Sequence, residues 1–269
     1  MPYLFDHLDA VRQVLTLSPL GLVTDVDGTI SEIAPCPEEA RVSPVCREQL
    51  AFLTKRLELV AAISGRPALD AKEMIGVDGM VYIGNHGLEQ WHDGVMQFVE
   101  GVKEYTSKVT AVLDELMGSL TVEGISFENK GVALSVHYRR SPDRENARKC
   151  ILEKIAASSV ARGFRIQEGK MVVELRPPVE VNKATAVEAL VKSYNLRGVI
   201  YVGDDISDVD AFGVMHQEIF KGLAVGVISE ETPQQLEKEA DFTLNGVADV
   251  ERFLTWLAGV APAPPRPHP

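Results

Sequence analysis

The stretch that most restricts this chain is Leu20-Gly21-Leu22-Val23-Thr24-Asp25-Val26-Asp27-Gly28-Thr29. Its apolar run, Leu20 to Val23, is too short for a helix and reads as a buried strand. Residues i and i+2 of a strand project to the same side, so Asp25 and Asp27 emerge together where the strand opens into a loop. Two adjacent carboxylates repel unless a cation sits between them or one keeps its proton. Such a cost is out of place in a plain turn and useful for chemistry.

A second apolar run, Val199-Ile200-Tyr201-Val202, leads into Gly203-Asp204-Asp205-Ile206-Ser207-Asp208. Either stretch alone could be an ordinary polar turn. In parallel α/β sheets, however, ligands collect at the carboxyl ends of the strands. If the two runs are neighbouring strands, four or five carboxylates meet in one crevice. Oxygen ligands of that kind suit a hard divalent cation, Mg²⁺ before others.

The order of the remaining elements supports such a sheet. Ser43-Pro44 is a helix start, with Cys46, Leu50, Leu53 and Leu57 on one helical face. Leu59 to Ile63 is a strand ending in Ser64-Gly65-Arg66-Pro67. Val81 to Ile83 is another, ending in Gly84-Asn85-His86-Gly87. An apolar stripe over residues 4–17 predicts a helix before the first strand, and Pro35-Cys36-Pro37 a loop after it. Strand and helix in alternation predict an α/β fold with a doubly wound parallel sheet. After about residue 101 the pattern changes to strict alternation. Val132, Leu134, Val136 and Tyr138 face one way, with Ser135, His137 and Arg139 on the other. Met171, Val173 and Leu175 oppose Lys170, Glu174 and Arg176, with Val172 the exception. A helix marked by Ala147, Ile151 and Ile155 lies between these strands. This predicts an inserted α+β cap with one covered face and one open polar face. The expected division is a core of residues 1–101 and 180–260, a cap of 102–179 that acts as a lid, and a disordered proline-rich tail at 261–269.

Composition narrows the partners. The 269 residues carry a net charge of -12, which disfavours nucleic acid and anionic membranes. No apolar stretch is long enough to span a bilayer. Cys36, Cys46 and Cys150 are odd in number and without CxxC spacing, and the first residues lack the order of a signal peptide. A cytoplasmic protein with reduced thiols is expected, monomeric or weakly oligomeric, acting on a small anionic substrate.

Asp25-Val26-Asp27-Gly28-Thr29, Ser64 after a strand, Lys183, and Gly203-Asp204-Asp205 with Asp208 occur in the order of the four landmarks of the haloacid dehalogenase superfamily, which the chain resembles. Within it the chain is similar to the trehalose-6-phosphate phosphatases. That likeness is carried by Ser64-Gly65-Arg66, Gly84-Asn85-His86-Gly87-Leu88-Glu89, Glu128-Asn129-Lys130-Gly131, His137-Tyr138-Arg139, Gly169-Lys170, Glu174-Leu175-Arg176-Pro177-Pro178 and Gly203 to Phe212. Val26, Ser207 and Asn182 depart mildly from that pattern.

The resemblance implies hydrolysis of trehalose 6-phosphate through an aspartyl phosphate. Asp25 would be the nucleophile, Asp27 the acid and then base, Ser64 a hydrogen-bond donor to the phosphoryl group, and Lys183 a fixed charge beside it. Mg²⁺ would be held by Asp25, Asp204 and the Asp27 carbonyl, with Asp205 and Asp208 in support. Arg66, Asn85, His86, Glu128, Lys130, His137, Arg139, Glu168, Lys170, Glu174 and Arg176 are the candidates for substrate binding, against the alternative of a solvated strand face with surface ion pairs. Asn85-His86 is expected at a hinge or the site floor. Competing readings are a sucrose-phosphate or mannosyl-3-phosphoglycerate phosphatase, a phosphomutase, and a silent regulatory partner.

Overall fold

The structure, a computed structural model, describes residues 1–34, 37–229 and 232–262. Of the loop expected at Pro35-Cys36-Pro37 the first two residues lie outside them, while Pro37 opens a 3-10 turn (Pro37–Glu39); the tail expected from 261 also lies outside them, Ala261 and Pro262 excepted. Along the chain run α1 (Leu8–Leu15), β1 (Leu20–Thr24), α2 (Pro44–Leu53), β2 (Leu59–Ile63), α3 (Ala68–Ile75), β3 (Val81–Gly84), β4 (Glu89–His92) and β5 (Val95–Phe98). Then come α4 (Tyr105–Ser119), β6 (Ser126–Asn129), β7 (Leu134–His137), α5 (Arg144–Ala157), β8 (Arg165–Gly169) and β9 (Val172–Arg176). The chain continues through α6 (Lys183–Ser193), β10 (Gly198–Gly203), α7 (Ile206–Met215), β11 (Lys221–Ile228), α8 (Gln234–Glu239), β12 (Phe242–Asn245) and α9 (Gly246–Val260).

These elements form two units, Met1–Gln97 with Val181 onward, and Phe98–Glu180. The first is built on a sheet of order β12-β11-β10-β1-β2-β3-β4-β5, parallel from β12 to β3. Strand order reverses between β1 and β10, which lie side by side in register from Leu20 opposite Gly198 to Thr24 opposite Val202. Both faces of the sheet are covered, so its strands read as unbroken apolar runs. Alternate residues sort cleanly. Leu22, Val60, Tyr82, Ile200 and Val225 pack against α1, α2, α3 and α9, while Val23, Ala61, Ile83, Tyr201 and Ala224 pack against α6, α7 and α8.

Local chemistry sets the helix boundaries. Ser43 Oγ accepts from the amides of Val45 and Cys46, with Pro44 first in α2. Asn182 and Thr185 exchange side-chain and backbone bonds at the start of α6, a capping box. The stripe over 4–17 is not one helix: the backbone leaves helical geometry at His7, and α1 starts only at Leu8. The sheet also extends beyond the expected strands. Asp93 and Gly94, with φ of 47° and 81°, turn β4 into β5, and β4 runs antiparallel to β3. Asp-Gly is the residue pair a two-residue hairpin turn demands.

The second unit is an antiparallel sheet, β6-β7-β9-β8, with α4 and α5 on one face. Val109, Val112 and Leu116 of α4 and Ala147, Ile151 and Ile155 of α5 pack on Leu134, Val136, Val173 and Leu175. The expectation of an open opposite face is corrected at its centre. Ser135, Glu174, Lys130 and Arg176 are all buried there.

Candidate active site

The carboxyl ends of β1 and β10 carry the two acidic stretches, at the point where strand order reverses. The Asp25 amide donates to the Val202 carbonyl at 2.8 Å, so Asp25 and Asp204 leave neighbouring strands together. Asp25, Asp204 and Asp208 bring ligand atoms within 4.8 Å of one another. Lys183, the first residue of α6, donates through Nζ to Asp25 Oδ1 and to Asp208 Oδ1, both at 2.7 Å. A buried cation at a helix N-terminus opposes the helix dipole, so these carboxylates are what keep it charged. Burial pulls the ammonium down, but Asp208 and Asp25 outweigh it and hold its pKa above the ordinary value.

Asp208 is fully occupied by the protein. Oδ1 accepts from Lys183 and from Tyr201 Oη (2.6 Å), and Oδ2 from the amides of Asp204 (3.1 Å) and Asp205 (3.0 Å). A carboxylate has about four acceptor sites, and all are filled. Asp208 therefore positions Lys183 and the start of α7. Asp204 is less committed, accepting on Oδ1 from Thr29 Oγ1 at 3.2 Å. Its Oδ2 lies 2.0 Å from where a Cβ would stand on Gly28, whose φ is +85°. Only glycine fits there.

Charge is crowded in this crevice. Burial pushes the Asp25 carboxyl up to about 7 against the pull of Lys183, with Asp208 and Asp27 adding to the rise. Burial, then Asp25 and Asp208, push Asp204 well above the usual carboxylate range. A pair of carboxylates carrying this penalty is a donor set that a divalent cation would relieve, and oxygen ligands fit Mg²⁺.

Two of the expected metal-site aspartates lie outside the trio. Asp205 is exposed at the head of α7, linked to the site through its amide. The Asp27 carboxylate is bound in fork geometry by Arg66, Nε to Oδ2 at 2.7 Å and Nη2 to Oδ1 at 2.8 Å. Ser64 is buried at the end of β2, and its Oγ accepts from the Arg66 amide at 3.1 Å. Asn85 and His86 hold left-handed backbone (φ 51° and 57°) after β3. Their amides donate to the carbonyls of Arg66 and Ser64, so they brace the Ser64–Arg66 loop.

In the second unit, Glu174 Oε1 accepts from Lys130 Nζ (2.7 Å) and Ser135 Oγ (2.8 Å). His137 Nε2 and Glu128 Oε2 are 2.8 Å apart. Burial raises the Glu128 carboxyl, but the His137 hydrogen bond and the Lys130 charge prevail and lower it. Arg176 donates to Gln167 Oε1 at 2.9 Å. These residues share one sheet face, since Glu128, Ser135, Glu174 and Gln167 are register partners. Three expected members are not on it. Glu168 is paired with core-facing Val173, and its carboxylate is bound by Arg148 of α5, on the helix side. Lys170 is in the β8–β9 turn with Met171 (φ 58°), so the alternation does not reach it. Arg139 lies in the turn after β7.

The site also holds residues that are not among the sequence candidates. Tyr201 is a lone hydroxyl in an aliphatic strand, which is the signal that could have found it. Thr29 closes the first acidic stretch, and Gln167 would follow only from strand register.

A doubly wound sheet with this site at its reversal point has the fold of the haloacid dehalogenase-like hydrolases. The family model described as trehalose-phosphatase matches residues 23–248, and the chain belongs to that family. It is similar to an uncharacterized glycosyl hydrolase of Mycobacterium tuberculosis, 29% identical over 263 residues, which cover 92% of this chain and 19% of that protein. The chain thus spans about a fifth of the length of that relative. The trehalose 6-phosphate phosphatase RA3 of Zea mays is 29% identical over 256 residues, covering 87% of this chain and 68% of its own. The C-terminal domain of Candida albicans trehalose-6-phosphate phosphatase has a TM-score of 0.76 at 23% identity, over 96% of this chain and 99% of that one. Among the described residues no helix is long and apolar enough to cross a membrane.

Proposed function

We propose that the chain hydrolyses trehalose 6-phosphate to trehalose and phosphate. The observation that carries this is Asp25, buried beside Lys183 and Asp204 at the reversal point of the sheet, in a chain of the trehalose-phosphatase family. Residues 1–101 and 180–260 are the catalytic part. Residues 102–179 are the lid that reads the sugar, with Lys130, Glu174, Glu128, His137 and Arg176 as its polar contacts.

Asp25 attacks phosphorus, forming an Asp25 O–P bond as the P–O bond to the sugar breaks. Asp27 gives its proton to the departing sugar oxygen. Water then attacks the aspartyl phosphate, Asp27 takes back a proton, and the Asp25 O–P bond breaks. The sum is ester plus water to alcohol plus phosphate. Lys183 stays protonated, orients Asp25 and offsets charge beside the phosphoryl group. Ser64 Oγ, which accepts from the Arg66 amide, keeps its own hydrogen to donate to a phosphoryl oxygen. Mg²⁺, held by Asp25, Asp204 and the Asp27 carbonyl, would neutralise nucleophile and phosphoryl oxygens.

The test is phosphate release from trehalose 6-phosphate, sucrose 6-phosphate, mannosyl-3-phosphoglycerate and glucose 6-phosphate, with Mg²⁺ or with EDTA. Preference for trehalose 6-phosphate that disappears in EDTA is expected. Equal turnover across the panel would refute the substrate assignment, and full turnover in EDTA the metal.

A further inference from the structure

The geometry points to Arg66 as the positioning residue for Asp27, acting on leaving-group departure and not on substrate affinity. This rests on the proposed acid role of Asp27. All three guanidinium nitrogens are committed inside the protein: Nε and Nη2 to the two Asp27 oxygens, and Nη1 to the Pro37 carbonyl at 3.0 Å. Bidentate pairing fixes the plane of a carboxylate as well as its place. The backbone of Arg66 is anchored too. Its amide donates to Ser64 Oγ at 3.1 Å and its carbonyl accepts from the Asn85 amide at 2.8 Å. One residue therefore joins loops leaving β1, β2 and β3.

The loop is itself clamped from the far side. Buried Glu89 of β4 accepts from the Ala68 amide at the head of α3, at 2.7 Å. A Cβ on Gly65 would stand 2.7 Å from His86 Nε2, so the imidazole packs directly over this loop. The Arg66 side chain is 15% exposed and that of Asp27 35%, so the tethered end is the arginine and the reachable one the carboxylate. The fork holds the ionised carboxylate; to act as the acid, Asp27 keeps one of the two bonds to Arg66 while its other oxygen carries the proton toward the ester. A guanidinium intended for phosphate would have its fork turned outward, and this one is turned onto Asp27.

The reacting step is the transfer of the Asp27 proton to the ester oxygen as the P–O bond breaks. An alkyl ester needs that proton, and 2,4-dinitrophenyl phosphate, whose leaving group departs as a stable anion, does not. The experiment compares kcat/KM, which reports steps up to leaving-group departure, for trehalose 6-phosphate, glucose 6-phosphate and 2,4-dinitrophenyl phosphate. The proteins are wild type, Arg66→Ala, Arg66→Lys and Asp27→Asn. Arg66→Ala is expected to lose ~10²-fold on the alkyl esters and under ~3-fold on the aryl ester, with KM unchanged, Arg66→Lys losing less. Asp27→Asn should show the same selectivity, at ~10³-fold. Because each preparation is its own control, poor folding lowers all substrates alike. Equal losses on alkyl and aryl esters in Arg66→Ala, or a loss confined to KM, would overturn the positioning role. If Asp27→Asn also lacks selectivity, the acid role fails with it. If only trehalose 6-phosphate is refused by wild type, the sugar assignment fails and the glucose 6-phosphate arm still decides on Arg66.

Discussion

Replacing Asp25 by asparagine should make the metal-free protein more stable at alkaline pH while ending its activity. Burial, countered in part by Lys183, pushes this carboxyl up to about 7 from 3.8. The folded state therefore holds its proton more tightly than the unfolded chain does. Stability from this group is complete below the unfolded pKa and falls as pH rises to about 7. Three units at ~1.4 kcal/mol each put the cost of the charged form near 4 kcal/mol at pH 8. Asparagine keeps the shape, still accepts from Lys183, and carries no charge to desolvate. Allowing about half for a less suitable amide, the gain is ~2 kcal/mol, or ~4–8 °C in Tm for a chain this size. Thermal unfolding in EDTA at pH 8 measures it. At pH 5 the gap should shrink to under about half, because most wild-type Asp25 is then protonated in the folded state. With 10 mM Mg²⁺ the order should reverse, since only the wild type gains a full ligand set. A variant melting at or below wild type in EDTA at pH 8, or a gap that ignores pH, refutes the account of the crevice as charge-crowded.

Gly28→Ala places a Cβ 2.0 Å from Asp204 Oδ2 at a φ of +85°, so kcat/KM should fall ~10²-fold or more while circular dichroism stays native. Glu174→Gln should raise KM for trehalose 6-phosphate ~10-fold or more, because the buried Lys130 loses the nearer of its charged partners, at 2.7 Å against 3.9 Å for Glu128. Glu168→Gln, on the helix side, should leave KM within about 2-fold; equal effects would mean both carboxylates meet the sugar. Burial pushes the Cys46 thiol up to about 12, so iodoacetamide at pH 8 should spare it in the folded protein and label half-buried Cys150, as peptide mass spectrometry would report.

The fold was legible because both of its patterns are periodic. Unbroken apolar runs marked the buried strands, and the alternation at Val132–Tyr138 marked the second sheet. Lys183 was legible through its family landmark, and Asp25 with Asp204 through strand ends. Reading stopped where contacts are not periodic. The amides of Asp204 and Asp205 are local partners of Asp208, but nothing local says that its other oxygen will meet Lys183 and Tyr201, or that the Asp27 carboxylate will turn to Arg66. Two features decide where Lys170 and Glu168 lie. The two-residue turn at Lys170-Met171 resets the alternation, and register alone tells which side of β8 faces the helices. The β4–β5 hairpin was announced by Asp93-Gly94, a signal the strand-and-helix count passed over.

β1 and β10 lie side by side, yet 173 residues separate the last residue of one from the first of the other. During synthesis at ~5–20 residues per second, β1 waits many seconds for its second neighbour. The antiparallel unit is contiguous in the chain and can finish before Val181 leaves the ribosome. Until then one margin of β1 offers bare amides and carbonyls to any passing strand, a hazard for aggregation. A chain cut short at residue 180 should therefore be insoluble, carrying its nucleophile without the third of the protein that shelters it.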